Sequence, residues 1–149
     1  MSADARIEEL KLELPEAPKP GGVYNPIVQV GEMVYVSGHG PLLPDGSMIT
    51  GTVGGDLDEA AGKNAARQVG LTMLATLQAQ LGSLDRIERL VKVLGMVNAT
   101  SAFGRHPQVI NGFSELMIEV FGELGRCARS AVGVGPLPGN TSVDSEEFG

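Results

Sequence analysis

Cysteine, aromatic side chains and positive charge are all scarce in this chain. There is one cysteine, Cys127, in 149 residues. That excludes an intramolecular disulfide and a cysteine-rich zinc site, and it makes a reducing cytoplasm the expected compartment. Tryptophan is absent and aromatics are only 4%, which leaves little for stacking on bases. Lys and Arg number 11 against 18 Asp and Glu, a formal net charge of -7. A nucleic-acid binder shows a basic face instead, so no nucleic-acid partner is expected. No apolar run approaches the ~18 residues that span a bilayer, so no membrane partner is expected either. Residues 1–14 are charged throughout and lack the apolar region of a signal peptide. Histidine is nearly as rare as cysteine. His39 and His106 do not make a ligand set, and neither metal nor cofactor is expected.

What the chain has in excess is glycine, 21 of its residues, roughly twice the usual share. With 42% hydrophobic and 19% charged residues, it reads as one globular domain with a core of its own.

Residues 3–12 predict a short charged helix, with Ile7 and Leu10 on one side. The prolines at 15, 18 and 20 end it, because each removes a donor and holds its neighbour extended. Residues 1–22 are therefore an arm and 23–149 the domain. Two short strands, 27–30 and 33–37, flank Gly31-Glu32, a type II′ hairpin signal. A third is expected near 48–53. Asp56 with Glu59 reads as a capping box before a long helix. Val69, Met73, Leu77 and Leu81 form that helix's apolar face, and Gly82 its stop. Residues 90–97 are apolar on both faces, as in a strand covered on both sides. A single layer of helices covers one face, which leaves the other for a partner subunit. A second helix starts near Pro107, with His106 as its cap. It carries Val109, Phe113, Leu116 and Val120 on one stripe and stops at Gly122. Residues 128–134 form a strand, and 141–148 a last one. The order gives an α+β domain, a mixed sheet with two helices on one face.

Strand 128–134 is the first place for chemistry. Arg129 shares a face with Cys127, Ala131 and Gly133. A guanidinium among small residues lines a hollow and offers a planar fork to a carboxylate or phosphate. The plainer alternative is an ion pair with Asp144 or Glu146 on the next strand. Asp144 and Glu146 are two apart and share a face, a pattern open to acid–base work or to a solvated surface. Ser37-Gly38-His39-Gly40 closes the second strand, where glycine lets backbone amides approach a ligand. It is too short for a phosphate loop. A Cys127-His39-Asp triad has no spacing to support it against a small buried thiol. The five methionines at 33, 48, 73, 96 and 117 read as core. Asn64 and Asn98 carry no clear signal, and Asn111 near the start of the second helix points toward a cleft.

Several of these residues also carry a resemblance. The stretch 22–148 resembles the RidA/YjgF family, also labelled L-PSP endoribonuclease-like. It rests on Gly22-Val23-Tyr24, Val34-Tyr35-Val36-Ser37-Gly38 and the Ala-rich helix. It continues in Asn111 and in Ala128-Arg129-Ser130-Ala131-Val132 followed by Leu137-Pro138, the most specific part. The arm and the Gly125-to-Ser130 stretch are similar to a YjgF-like subgroup. The resemblance implies a chorismate-mutase-like fold and a homotrimer with a central barrel and pockets between subunits. It implies hydrolysis of enamine and imine intermediates, such as 2-aminoacrylate and 2-iminopropanoate, to keto acids and ammonia, without cofactor. Arg129 would clamp the substrate carboxylate, Ser37, Gly38 and Asn111 would bind at the pocket, and Tyr24 would close it. Asp144 would orient the attacking water, at a position where the family usually has Glu. Ala131 stands where Cys is frequent, and His39 where Gln is common. A carboxylate-binding protein without turnover and a ribonuclease are the competing readings.

Overall fold

The computed structural model describes the backbone of residues 1–148 and the side chains of residues 1–144. Eight main elements follow the chain: α1 (Ala3–Glu9), β1 (Ile27–Val30), β2 (Met33–His39), α2 (Glu59–Leu81), β3 (Lys92–Asn98), α3 (His106–Phe121), β4 (Ala128–Val134) and β5 (Val143–Phe148). The strands form one mixed sheet in the order β1-β2-β5-β3-β4. β3 and β4 are parallel, joined through α3, and the other pairs are antiparallel. This is an α+β domain with its helices on one face of the sheet.

Alternation along each strand decides which side chains the helices cover. Val34, Val36, Val93 and Val97 turn inward and are buried with Val69, Leu74, Phe113 and Leu116 in one core. On the opposite face, several described apolar side chains stay exposed. Val28 pairs with Tyr35 and Met96 with Val132. Val28, Tyr35 and Val132 are 49%, 42% and 40% exposed. The strand expected to be apolar on both faces thus buries only one of them within the chain.

Three of the glycines, Gly62, Gly70 and Gly112, lie where the two long helices meet. A Cβ on Gly112 of α3 would collide with the backbone of α2, at the Lys63 carbonyl and 3.1 Å from the Arg67 nitrogen. On Gly70 of α2 it would lie 2.7 Å from Leu116 Cδ2. Small residues let the two helix axes approach, and large ones then fill the sheet side.

The sequence expectations fail in three local places. The segment 48–53 is not a strand. It makes isolated bridges such as Thr50 to Thr141, because Gly51 and Gly54 take φ of 122° and 91° and break the extended run. Asp58, not Asp56, caps α2, accepting the Ala61 N–H at 2.8 Å. Asp56 instead accepts the Thr52 N–H at 2.6 Å and braces the preceding loop. His106 is not the cap of α3. Arg105 holds that position without a side-chain bond, while the His106 ring packs edge-on against Phe103 at 5.4 Å. Gly82 and Gly122 do close their helices, with φ of 85° and 69°.

The arm lies against the domain. α1 buries Ala3 and Ile7, and Asp4 accepts the Leu84 N–H at 3.0 Å. No helix among the described residues is long and apolar enough to cross a membrane.

Candidate functional site

A cleft lies where the arm crosses the end of β2 and the start of β5. It has a volume of about 290 Å³. Tyr24, Ser37, Gly38 and Asp144 line it, together with Pro18 and Lys19 of the arm. Four of the expected site residues are therefore brought together.

A β-bulge shapes the floor of this cleft. Val36 pairs with Glu147 and His39 with Ser145, so Ser37 and Gly38 together face one residue of β5. The extra residue turns His39 inward, where it is 5% exposed. Its Nδ1 lies 2.7 Å from the Ser37 carbonyl, and its Nε2 lies 2.8 Å from Thr76 Oγ1 on α2. The carbonyl can only accept, so Nδ1 carries the proton. In the neutral ring Nε2 then accepts from the Thr76 hydroxyl. Burial holds the His39 pKa below its ordinary value, with the Ser37 bond opposing in part. Gly38 lies close under its neighbour: a Cβ there would be 3.2 Å from both Asp144 carboxylate oxygens, a tight contact. The carboxylate thus sits directly over the bulge. Ser37 donates its hydroxyl to the Asn25 carbonyl at 2.6 Å. The Tyr24 hydroxyl accepts the Gly21 N–H at 3.1 Å, which folds the ring back along its own loop.

Arg129 and Asn111 are elsewhere. Neither lines the cleft. Val36, Glu147, Val93 and Arg129 form one row across the sheet, which places Arg129 three strand spacings from the bulge, ~14 Å. There its Nη1 donates to Asn111 Oδ1 at 2.8 Å and to Ser114 Oγ at 3.2 Å. Asn111 and Ser114 are three apart on α3 and so share a face. The ion pair considered for Arg129 is not made with Asp144. β3 lies between the two strands, and Asp144 pairs with Met96, on the opposite face from Arg129 and Val93. The Glu146 side chain lies outside the described residues. Among those described, no carboxylate touches Arg129, and neutral oxygens hold one nitrogen of its fork.

Some residues have other work than expected. Gly133 does not open a pocket around Arg129; it makes room for the His106 ring, with Cε1 3.1 Å from a Cβ position. Met73 and Met117 are core, but Met48 is 38% exposed and lines the cleft. Asn98 is buried and donates to the Gly51 and Thr141 carbonyls, both at 3.2 Å, tying two loops together. The sequence reading missed Lys19 and Ser114. The two prolines flanking Lys19, which stiffen it, are the one signal that could have marked it.

Similarity to known proteins agrees with this fold. The family model described as "YjgF/chorismate mutase-like, putative endoribonuclease" matches residues 4–143. The chain belongs to that family. A solved structure from Shewanella oneidensis, titled "putative endoribonuclease", superposes with a TM-score of 0.95 at 31% identity, covering 99% of this chain and 98% of that one. Protein TCP17 of Trypanosoma cruzi is 40% identical over 94% of this chain and 88% of its own. A protein of Dermatophagoides farinae named 2-iminobutanoate/2-iminopropanoate deaminase is 32% identical over 92% of each.

Proposed function

We propose that this protein hydrolyses reactive enamines and imines of the 2-aminoacrylate and 2-iminopropanoate type to 2-oxo acids and ammonia. It does so as a homotrimer, in which residues 1–22 are an arm on the domain 23–149. The observation that carries the reading is the placement of two incomplete half-sites on one chain. One is a cleft with a carboxylate over a bulge, and the other is an arginine fork at the outer edge of β4, held by neutral oxygens. Apposition of β4 to a neighbour's β2–β5 end would complete a site, and the bare apolar face would line a shared barrel. The relative named as a deaminase supports the chemistry.

In that site Arg129 clamps the substrate carboxylate, with Asn111 and Ser114 fixing its plane. Ser37 and Gly38 bound the imine, and Tyr24 closes the cleft. An imine carbon is already electrophilic, so a positioned water suffices. Asp144 orients that water and takes its proton as the C–O bond forms. Return of that proton to nitrogen gives the carbinolamine, and transfer of its hydroxyl proton to nitrogen as the C–N bond breaks expels ammonia and leaves the 2-oxo acid. Water is the only co-reactant.

The test supplies the pure protein with enzymatically generated 2-iminopropanoate and follows ammonia and pyruvate release. Turnover that Arg129→Ala leaves unchanged refutes the mechanism. A second reading, a carboxylate-binding protein without turnover, is favoured by Asp144 standing where the family usually has the longer Glu. Calorimetry showing 2-oxo acid binding with no ammonia release would select it. RNA cleavage abolished by Arg129→Ala would replace both.

A further inference from the structure

The reaction proposed above makes no direct use of His39, yet His39 is the most constrained titratable group beside the cleft. Its imidazole bridges two elements. Nδ1 binds the carbonyl of Ser37, within the bulge of its own strand, and Nε2 binds Thr76 in the C-terminal half of α2. Thr76 is 1% exposed and His39 5%, so water does not replace either bond. The bulge that this ring braces is the surface against which the Asp144 carboxylate rests, 3.2 Å from the Cβ position of Gly38.

We propose that His39 is a positioning residue: its neutral imidazole is the strut that seats the Ser37–Gly38 bulge under Asp144, and its protonation unseats that carboxylate and sets the acid limit of activity. In the imidazolium both nitrogens donate. The Ser37 bond survives, but Thr76 must turn its hydroxyl to accept, and a charge is left in a buried site. α2 offers no compensation, since Thr72 and Thr76 are its groups here. Among the described side chains the charged groups nearby are Asp144 from β5 and Lys19 from the arm, both on the same cleft. The lowered pKa of His39 agrees with a ring kept neutral through the physiological range. The coupling between His39 and the bulge stands on these contacts; only the reaction that Asp144 serves rests on the functional reading above.

The experiment follows the Gly38 amide and the His39 ring of the full chain by NMR across an acid titration, beside the pH profile of kcat/KM. Both signals are expected to move with one midpoint below the ordinary 6.5, at which kcat/KM also falls. His39→Gln, which keeps a donor and an acceptor but cannot ionise, should abolish the Gly38 titration and retain most of the turnover. His39→Leu should lower kcat/KM about tenfold or more, the scale of a small misplacement. Thr76→Val, which keeps volume, should shift the midpoint and lower kcat in the same direction. A Gly38 amide that does not move with His39, or native turnover and pH profile in both His39→Leu and Thr76→Val, overturns the proposal. Absence of deaminase turnover in the native protein refutes the functional reading alone, and the Gly38 titration still decides the strut.

Discussion

Gly112→Ala puts one methyl group where two helices touch. The new Cβ would meet the Lys63 carbonyl, with its carbon at 3.0 Å and the Arg67 nitrogen at 3.1 Å. Both are backbone atoms of α2, so no side-chain rotation relieves the contact. The carbonyl oxygen is the closest of these atoms, and relieving it requires the helices to part by about 1 Å or more, which forfeits roughly half of each dispersion well across the gap. The side chains at that helix contact include Val109, Phe113, Leu116 and Met117, all buried. Overpacking of this kind costs about 1–3 kcal/mol and sometimes more, against about 1 kcal/mol gained from alanine's helix propensity. The gap spans a whole helix pair, so we take the upper part of that range, a net loss of about 2 kcal/mol. For a chain of this size that lowers Tm by roughly 4–8 °C. Gly104→Ala is the counterpart: nothing lies within 4 Å of its Cβ position and its φ is not left-handed. Restricting the unfolded chain there is expected to be neutral or to add up to ~1 kcal/mol. The assay is thermal unfolding of the three proteins at one protein concentration. A Gly112→Ala protein that melts with the native one would refute the close-approach account of this glycine.

Arg129→Lys keeps the charge but loses the planar fork, and should lower kcat/KM on 2-iminopropanoate by about tenfold to a hundredfold with no change in unfolding midpoint. For His39 the folded pKa lies below 6.5, so under mildly acidic conditions the unfolded chain binds more protons than the folded one. Stability is full above about pH 6.5 and falls as pH drops toward the folded pKa, by at most about 1.4 kcal/mol per unit; His39→Gln should flatten this part of a urea-midpoint series. Lys19→Glu adds a second negative charge to the cleft of Asp144 and should weaken 2-oxo acid binding several-fold by calorimetry, with the difference shrinking at high salt. Mixed trimers of Arg129→Ala and Asp144→Asn chains, each inactive alone, should recover up to about a quarter of native activity, since a site needs its arginine and its carboxylate from different chains. No recovery from well-mixed trimers would place both groups of a site on one chain.

Regular elements were legible in the sequence wherever one local rule governed them. Gly31 and Glu32 were sufficient for the first hairpin, Gly82 for the end of α2, and the alternation around Arg129 for β4. The misplacements share a cause: two residues competed for one role, and tertiary contacts chose. Asp56 and Asp58 both qualify as caps, and the outcome turned on a loop amide at Thr52. His106 and Arg105 both precede helical positions, and His106 was drawn to Phe103 and to the space left by Gly133. Of the site, the residue types around Arg129 and Gly38 were readable, but not their separation. That depends on β5 inserting between β2 and β3, a pairing of the chain's last strand with two strands far from it in sequence. The bulge was equally invisible, because alternation alone puts His39 on the same face as Tyr35, and one extra residue reverses it.

The separation of Arg129 from Asp144 is a property of the fold and not of side-chain choice. Their strands are two spacings apart, with β3 between them, and register places them on opposite faces. No rotamer of a single chain closes an ion pair across a packed strand. A chain of net charge -7 thus keeps this arginine fork on neutral oxygens, away from the cleft carboxylate. An arginine already paired with a carboxylate would have to surrender that partner to bind a substrate acid, losing much of the gain. Held by Asn111 and Ser114, it is oriented with no carboxylate among the described side chains against it. The same register therefore prevents the pair within one chain and sets the two groups on opposite faces of the sheet.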